Sequence, residues 1–477
     1  MERRISASRA AALLGKAPET SPAYAGIADA LRLLISDGRI PPGTRLPSER
    51  ELTDALGVSR TTVTRAYATL KDRGYLTSRQ GSGTVAQVPS TARVTDSLLS
   101  PGPADPGRID LTCAAPSAPP GVLAAFEAAV GELPGHLQEL GYFPSGLPAL
   151  REAIARRYAE RGLPTDPEQI LVTSGALAAL AVVSHAFVGL GDRMLLESPS
   201  YPNAIVALRG TGARIAGADV GEPGWGTSSV IDWLDQLRPA ASYLIPDWHN
   251  PTGQLMGDEH RGRLAAAMRD AGTLPIIDES MVELAIDDVA MPLPFAAHHP
   301  GAITLGSASK TYWGGLRIGW VRAPHARMQA LVTSRLTLDL GAPVLEQLAL
   351  VHLMARREEV LATRRAQLAE SRAALVSGLA SRLPSWCFRV PAGGLTLWCE
   401  LPRPTATALA SVAERHGLQL AAGPLFAPEG GLDRYVRLPF SQPAARLEEA
   451  VDRLAEAWGD LPTAVPSRRK PAPALVT

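Results

Sequence analysis

Between Val88 and Arg108 the chain loses every hydrophobic rhythm. The stretch VPSTARVTDSLLSPGPADPGR is rich in Pro, Ser, Thr, Gly and Asp. It has no apolar face to bury at helical or strand spacing, so residues 89–108 read as a flexible linker between two bodies. Roughly 20 such residues span about 25 Å root-mean-square. One body, residues 22–88, lies before the linker and a larger one, 109–460, after it, while the Pro-rich, basic 461–477 read as a disordered tail. A total of 477 residues agrees with more than one core.

Composition narrows the class. Hydrophobic residues make up 46% and charged ones 20%, a globular balance. No run of about 18 apolar residues occurs, which excludes a membrane-spanning helix. The N-terminus lacks the apolar core of a secretory signal. Cys113, Cys387 and Cys399 have neither metal-ligand spacing nor an even disulfide count, so reduced thiols in a cytoplasmic protein without a metal site are expected. Net charge is zero, but residues 1–88 hold 13 Lys+Arg against 8 Asp+Glu, leaving the rest acidic. A basic front end hints at a nucleic-acid partner there.

The smaller body has the punctuation of a helical DNA reader. Ile27, Leu31, Leu34 and Ile35 give an amphipathic helix ending near Gly38. Ser48 with Glu51 forms a capping box that starts a second helix. Gly57 ends it, and Ser59 caps a third, SRTTVTRAYATLKDRG. Leu52, Leu56, Val63, Tyr67 and Leu70 are the expected shared core. YLTSRQGSGTVAQV alternates like a hairpin with Gly81 and Gly83 at its tip. Arg60, Thr61, Thr62 and Thr64 at the start of the third helix suit base edges and phosphates. Singly, each also fits an ordinary solvated position. As a set, TRLPSERELTDALGVSRTTVTRAYATLKDRGYL with a glycine wing resembles the GntR family of winged helix-turn-helix regulators over residues 22–88. The resemblance implies DNA contacts from Arg50, Ser59, Arg60, Thr61 and Thr62, with Gln80 and Gly81 in the wing. Many members carry Arg where this chain has Thr64, and Arg65 points about 100° around the helix.

In the larger body, ITLGSASKTYWGGLRIGW runs an apolar strand (Ala302 to Leu305) into serines, Lys310 and a Gly-Gly-Leu-Arg turn. A lysine at a strand end can bond an aldehyde carbon, and Ser307, Ser309 and Arg317 can hold a phosphate. Alone, such a lysine fits the surface better than a site. YLIPDWHNPTGQLM and PIIDESMVEL are two further apolar strands, ending at Asn250 and Asp278. With GYFPSGLPALREAIARRYAERG, ILVTSGALAALAVV and ESPSYPNA in the same order, they resemble the fold-type I aminotransferases over residues 109–460. Both bodies together resemble the MocR subgroup of GntR regulators. The implied fold is multidomain: a winged helix-turn-helix, mainly α with a small β wing, plus an α/β aminotransferase-like domain.

That resemblance implies pyridoxal 5′-phosphate, held covalently by Lys310. Asp278 would pair with the ring nitrogen, Asn250 with the phenolic oxygen, and Tyr201 would stack on the ring. Ser174, Gly175 and Ala176 at a helix N-terminus, with Ser307, Ser309 and Arg317, would cradle the phosphate. Tyr142 would reach it from the second subunit of a homodimer, and Arg437 would clamp an effector carboxylate. His249 is given packing only. The chain departs from the pattern in two ways. Ser280 and Met281 stand where a tyrosine is usual, and Ala176 where a hydroxyl often serves. The lost tyrosine weakens the case for efficient turnover. The expected function is a DNA-binding transcriptional regulator that senses an amine, an amino acid or the cofactor. A working aminotransferase and a cofactor-free dimerisation scaffold are the competing readings. The expected partners are an operator duplex, a small amine and a second copy of the chain.

Overall fold

A computed structural model describes residues 4–15, 22–36, 39–41, 43–79, 83–87, 99, 107–220 and 225–461. Gln80, Gly81, most of the linker and residues 462–477 lie outside the described residues.

The first body contains α1 (Ala7–Leu14), α2 (Ala23–Ser36), α3 (Glu49–Leu56), α4 (Arg60–Asp72) and the antiparallel pair β1 (Leu76–Arg79) and β2 (Gly83–Ala86). The capping box forms: Ser48 Oγ accepts from Glu51 N at 3.2 Å, and Glu51 Oε2 accepts from Ser48 N at 2.8 Å. Those donors hold the Glu51 carboxyl below its usual range. Gly57 ends α3 at φ 65°, where a side chain would be strained. Ser59 Oγ then accepts from Thr62 N at 3.2 Å and opens α4. Leu31, Leu52, Val63, Tyr67 and Leu70 are buried together, while Leu56 is only partly buried at the edge of their cluster. Helix α1, upstream of residue 22, packs on α3. Ala10 is buried in the same cluster, Ile5 N donates to Arg45 O at 3.1 Å, and Arg4 pairs with Glu51 at 3.3 Å.

The second body is built on a seven-stranded sheet. Its strands are β4 (Ile170–Thr173), β5 (Arg193–Ser198), β6 (Arg214–Asp219), β7 (Ala241–Leu244), β8 (Leu274–Asp278), β9 (Ile303–Ser307) and β10 (Gly319–Arg322), in the order β4-β10-β9-β8-β7-β5-β6. Only β10 runs against its neighbours. Strands β4, β7, β8 and β9 are buried along their whole length, as continuous apolar runs between helical layers require. Two large hydrophobic clusters contact the sheet and a third fills a smaller unit. That unit carries β3 (Ile109–Asp110), β11 (Cys387–Phe388), β12 (Thr396–Glu400), β13 (Leu418–Gln419), β14 (Ala421–Ala422) and β15 (Tyr435–Pro439). Four of these strands make an antiparallel sheet in the order β11-β12-β15-β14, and β3 pairs in parallel with β13. The first strand after the linker is thus tied to the far end of the chain. Within the linker, Leu99 N donates to Asn203 Oδ1 at 2.7 Å, and Asn203 Nδ2 returns a bond to Leu99 O at 2.9 Å. No helix among the described residues is long and apolar enough to cross a membrane.

Candidate cofactor and effector site

Parallel strands bring their carboxyl ends to one edge of a sheet, and the crevice there is where α/β folds bind ligands. Asp278 is the last residue of β8 and Ser307 the last of β9. Ser174 directly follows β4, Tyr201 lies three residues beyond β5, and Asn250 six beyond β7. A cavity of about 450 Å³ opens at this edge. Tyr201, Asn250, Asp278, Lys310, Arg317 and Arg437 line it. Ala176, Ser307 and Ser309 complete its wall, with Leu99 of the linker at its margin.

The lysine is poised for chemistry as an amine. Lys310 Nζ donates to Ala114 O at 2.8 Å. Burial pushes its pKa below the usual lysine range, and the Arg437 and Arg317 guanidiniums add to the effect against Cys113 and Asp278. Asp278 is buried. Its Oδ1 accepts from Ser280 N at 2.8 Å and its Oδ2 from the Tyr243 hydroxyl at 2.6 Å. No described Lys, Arg or His forms an ion pair with it. Burial, then the Asp278 charge, pushes the Tyr201 phenol up to about 12, so it stays protonated.

Arg437 is 1% exposed. Its Nη1 donates to Asn250 Oδ1 at 3.2 Å, its Nη2 donates to Thr112 O, and Nε has no partner among the described residues. The guanidinium lies 5.0 Å over the Phe426 ring, and burial pushes its pKa down to about 10. No carboxylate among the described residues pairs with it. Buried and without a carboxylate partner among the described residues, Arg437 does not match the surface ion pair that is the plain alternative for an arginine here. Thr112 and Ala114 belong to the segment just after β3, so one strap meets both Arg437 and Lys310.

The turn into the helix Ala176–Phe187 fits an anion. Gly175 has φ 101°, and a Cβ there would sit 2.7 Å from Arg317 Nη2. Arg317, itself at φ 51°, donates to Ser174 O at 3.1 Å. Only a glycine leaves that space open beside a guanidinium and free helix-end amides. Tyr142 is 63% exposed and lines no part of the cavity within one chain. His249 does more than pack. Fully buried, it lies 3.2 Å from Glu197 Oε2 and 2.8 Å from Thr252 Oγ1, behind Asn250.

Sequence reading missed Tyr243 and the strap. Tyr243 pairs with Ile276 across β7 and β8, so the pleat puts it on the face of Asp278, a signal that needs the register. At the DNA-reading end, Arg50 and Arg60 are exposed and pair with no described residue. The Ser59 hydroxyl bonds those of Thr61 and Thr62, each at 2.8 Å, and Thr64 Oγ1 donates to Glu49 at 2.6 Å. Arg65 lies over the Tyr24 ring at 4.4 Å.

Comparison with known proteins agrees with both halves. The family described as aminotransferase class I and II matches residues 136–454, and bacterial regulatory proteins of the gntR family match residues 23–85. An uncharacterized HTH-type transcriptional regulator, YdcR of Escherichia coli, is 30% identical over 91% of this chain and 98% of its own length. A 2-aminoadipate transaminase of Thermus thermophilus is 32% identical but spans 67% of this chain and 81% of its own. The crystal structure of LysN, an alpha-aminoadipate aminotransferase from Thermus thermophilus complexed with N-(5′-phosphopyridoxyl)-L-leucine, superposes with a TM-score of 0.68. It is 29% identical and covers 74% of this chain and 92% of its own. The regulator aligns nearly end to end, whereas the enzyme aligns over two thirds. The chain belongs to the MocR subgroup of the GntR regulators, in which a helix-turn-helix domain is joined to an aminotransferase class I and II domain.

Proposed function

We propose that the chain binds pyridoxal 5′-phosphate in the large-domain cavity and uses it to sense an amine or amino acid, adjusting operator binding by the N-terminal domain. The observation that carries this reading is Arg437. It is a buried, carboxylate-free arginine facing the same cavity as Lys310, on a chain that also carries a DNA reader. The residues fit the cofactor. A buried carboxylate without a cation partner suits a protonated ring nitrogen, and the Gly175 gap beside Arg317 suits a phosphate. When bound, the cofactor supplies an aldehyde that combines with primary amines and a ring that draws electrons from the bond formed. Lys310 anchors it, Asp278 and Asn250 orient the ring, and Tyr201 covers a face. Ser174, Gly175, Ala176, Ser307, Ser309 and Arg317 hold the phosphate. Arg437 takes the effector carboxylate in place of the Thr112 carbonyl.

The proposed assembly is a homodimer. Tyr142, Leu137 and Leu140 are 63%, 69% and 90% exposed, an apolar edge suited to a second copy whose site Tyr142 completes. The proposed duplex contacts are Arg50, Ser59, Arg60, Thr61, Thr62 and Thr64, together with Gln80 and Gly81 from outside the described residues.

The test pairs two assays on the purified chain. Added cofactor should give a visible absorption band, and borohydride should fix it on Lys310 and nowhere else. Operator titrations with a panel of amines should show a shift in affinity for at least one. Turnover with a keto acid near the roughly 10 s⁻¹ typical of enzymes, with DNA affinity indifferent to every amine, would make the chain an aminotransferase instead.

A further inference from the structure

We infer that Tyr243 is a positioning residue for the Asp278 carboxylate, and through it for the protonation of the cofactor's ring nitrogen. The inference rests on the reading that the cavity takes pyridoxal 5′-phosphate.

Tyr243 is fully buried, and Asp278 is the one hydrogen-bond partner of its hydroxyl among the described residues. The contact follows from register. Tyr243 lies opposite Ile276 in the parallel β7–β8 pair, so Asp278 is its diagonal neighbour on the same face. A phenol is long enough to cross that diagonal. The donor is unambiguous, because burial and the facing carboxylate keep the phenol protonated far above the usual tyrosine range.

The Asp278 carboxylate therefore has Oδ2 bonded to a side chain on a neighbouring strand and Oδ1 bonded to its own loop through Ser280 N. Donors on both oxygens fix its rotamer and compensate its charge, as a buried charge requires. A carboxylate so held is oriented to accept a bond from the ring nitrogen. Ser280 and Met281 offer no phenol after the aspartate, and among the described residues Tyr243 is the tyrosine whose hydroxyl bonds this carboxylate.

Tyr243→Phe keeps the ring that packs in the sheet and deletes only the donor. In the full-length protein loaded with ¹⁵N-labelled pyridoxal phosphate, the ring-nitrogen resonance should move toward the unprotonated value. The midpoint of the visible-band pH titration should shift with it, and the cofactor dissociation constant should rise about tenfold. Tyr158→Phe is the packing control: its buried hydroxyl meets Trp320 Nε1 at 3.4 Å, away from the cavity. That variant should leave the nitrogen signal in place. A Tyr243→Phe protein with wild-type resonance and affinity, or one matched by Tyr158→Phe, overturns the inference while the cofactor reading stands. A wild-type chain that takes up no cofactor overturns both.

Discussion

Arg437 allows stability and ligand response to be separated in one substitution. Burial moves its pKa from 12.5 to about 10, so the fold disfavours the guanidinium charge by on the order of 3 kcal/mol. Against that stand its bonds to Asn250 Oδ1 and Thr112 O, each about 1.5 kcal/mol for a charged donor. The bonds offset part of the cost of burying the charge, so removing charge and bonds together should change stability little. In Arg437→Met, both acceptors face a cavity of about 450 Å³ that admits water, and the side-chain volume is largely kept. Stability should change by about 1 kcal/mol or less, and the melting temperature by about 3 °C at most. The ligand response should not survive. A bidentate charge pair in a desolvated pocket is worth about 3 kcal/mol, so affinity for a carboxylate-bearing amine should fall roughly 100-fold. Calorimetric melts without ligand, spectral titration with amino acids, and operator binding without ligand would be read together. A loss of more than about 10 °C, or of operator binding itself, would make Arg437 a keystone of the fold. Unchanged amino-acid affinity would remove it from the effector site.

Three further outcomes are expected. Arg60→Ala should weaken specific operator binding by about 1–3 kcal/mol if it reads a guanine, seen as a smaller gap between specific and nonspecific affinities in gel-shift titrations; an unchanged footprint would assign the reading to another element. Gly175→Ala should lower cofactor affinity at least tenfold, since its Cβ would meet Arg317 at 2.7 Å at a φ of 101°; wild-type affinity by equilibrium dialysis would refute the phosphate cradle. Lys310 has its pKa lowered by burial, so the reactive neutral amine is populated earlier as pH rises. The rate of cofactor uptake by the apo chain should climb with pH and level off below the ordinary lysine range near 10.4; a rate still climbing through that value would contradict the assignment.

Local signals were legible, while contacts across the chain were not. Helices α3 and α4 could be placed from Ser48, Glu51, Gly57 and Ser59, because capping acts within four residues. Lys310, Asp278 and Asn250 could be picked out because the segments that carry them resemble aminotransferase motifs; in the structure only Asp278 ends its strand, while Lys310 lies three residues beyond β9 and Asn250 six beyond β7. Helix α1 left little trace: ASRAAALL is short and sends only Ala10 fully into the core. Tyr243 reads as one apolar residue in a buried strand until the register with β8 is known. The strap was hidden for the same reason, since Thr112 and Arg437 are 325 residues apart and nothing local marks a carbonyl as an acceptor.

Leu99 is clasped to Asn203 through both its N–H and its C=O, at the margin of the cavity and within the stretch that joins the two bodies. The tether of the DNA reader and any small molecule in the cavity share a wall. Equilibrium then imposes a symmetry on them. If an occupant changes the operator affinity by some factor through that clasp, bound operator must change the affinity for the occupant by the same factor. Titrating the ligand with and without duplex, and the duplex with and without ligand, are two measurements of one number. A factor of one in both titrations would mean that the clasp does not couple the cavity to the operator.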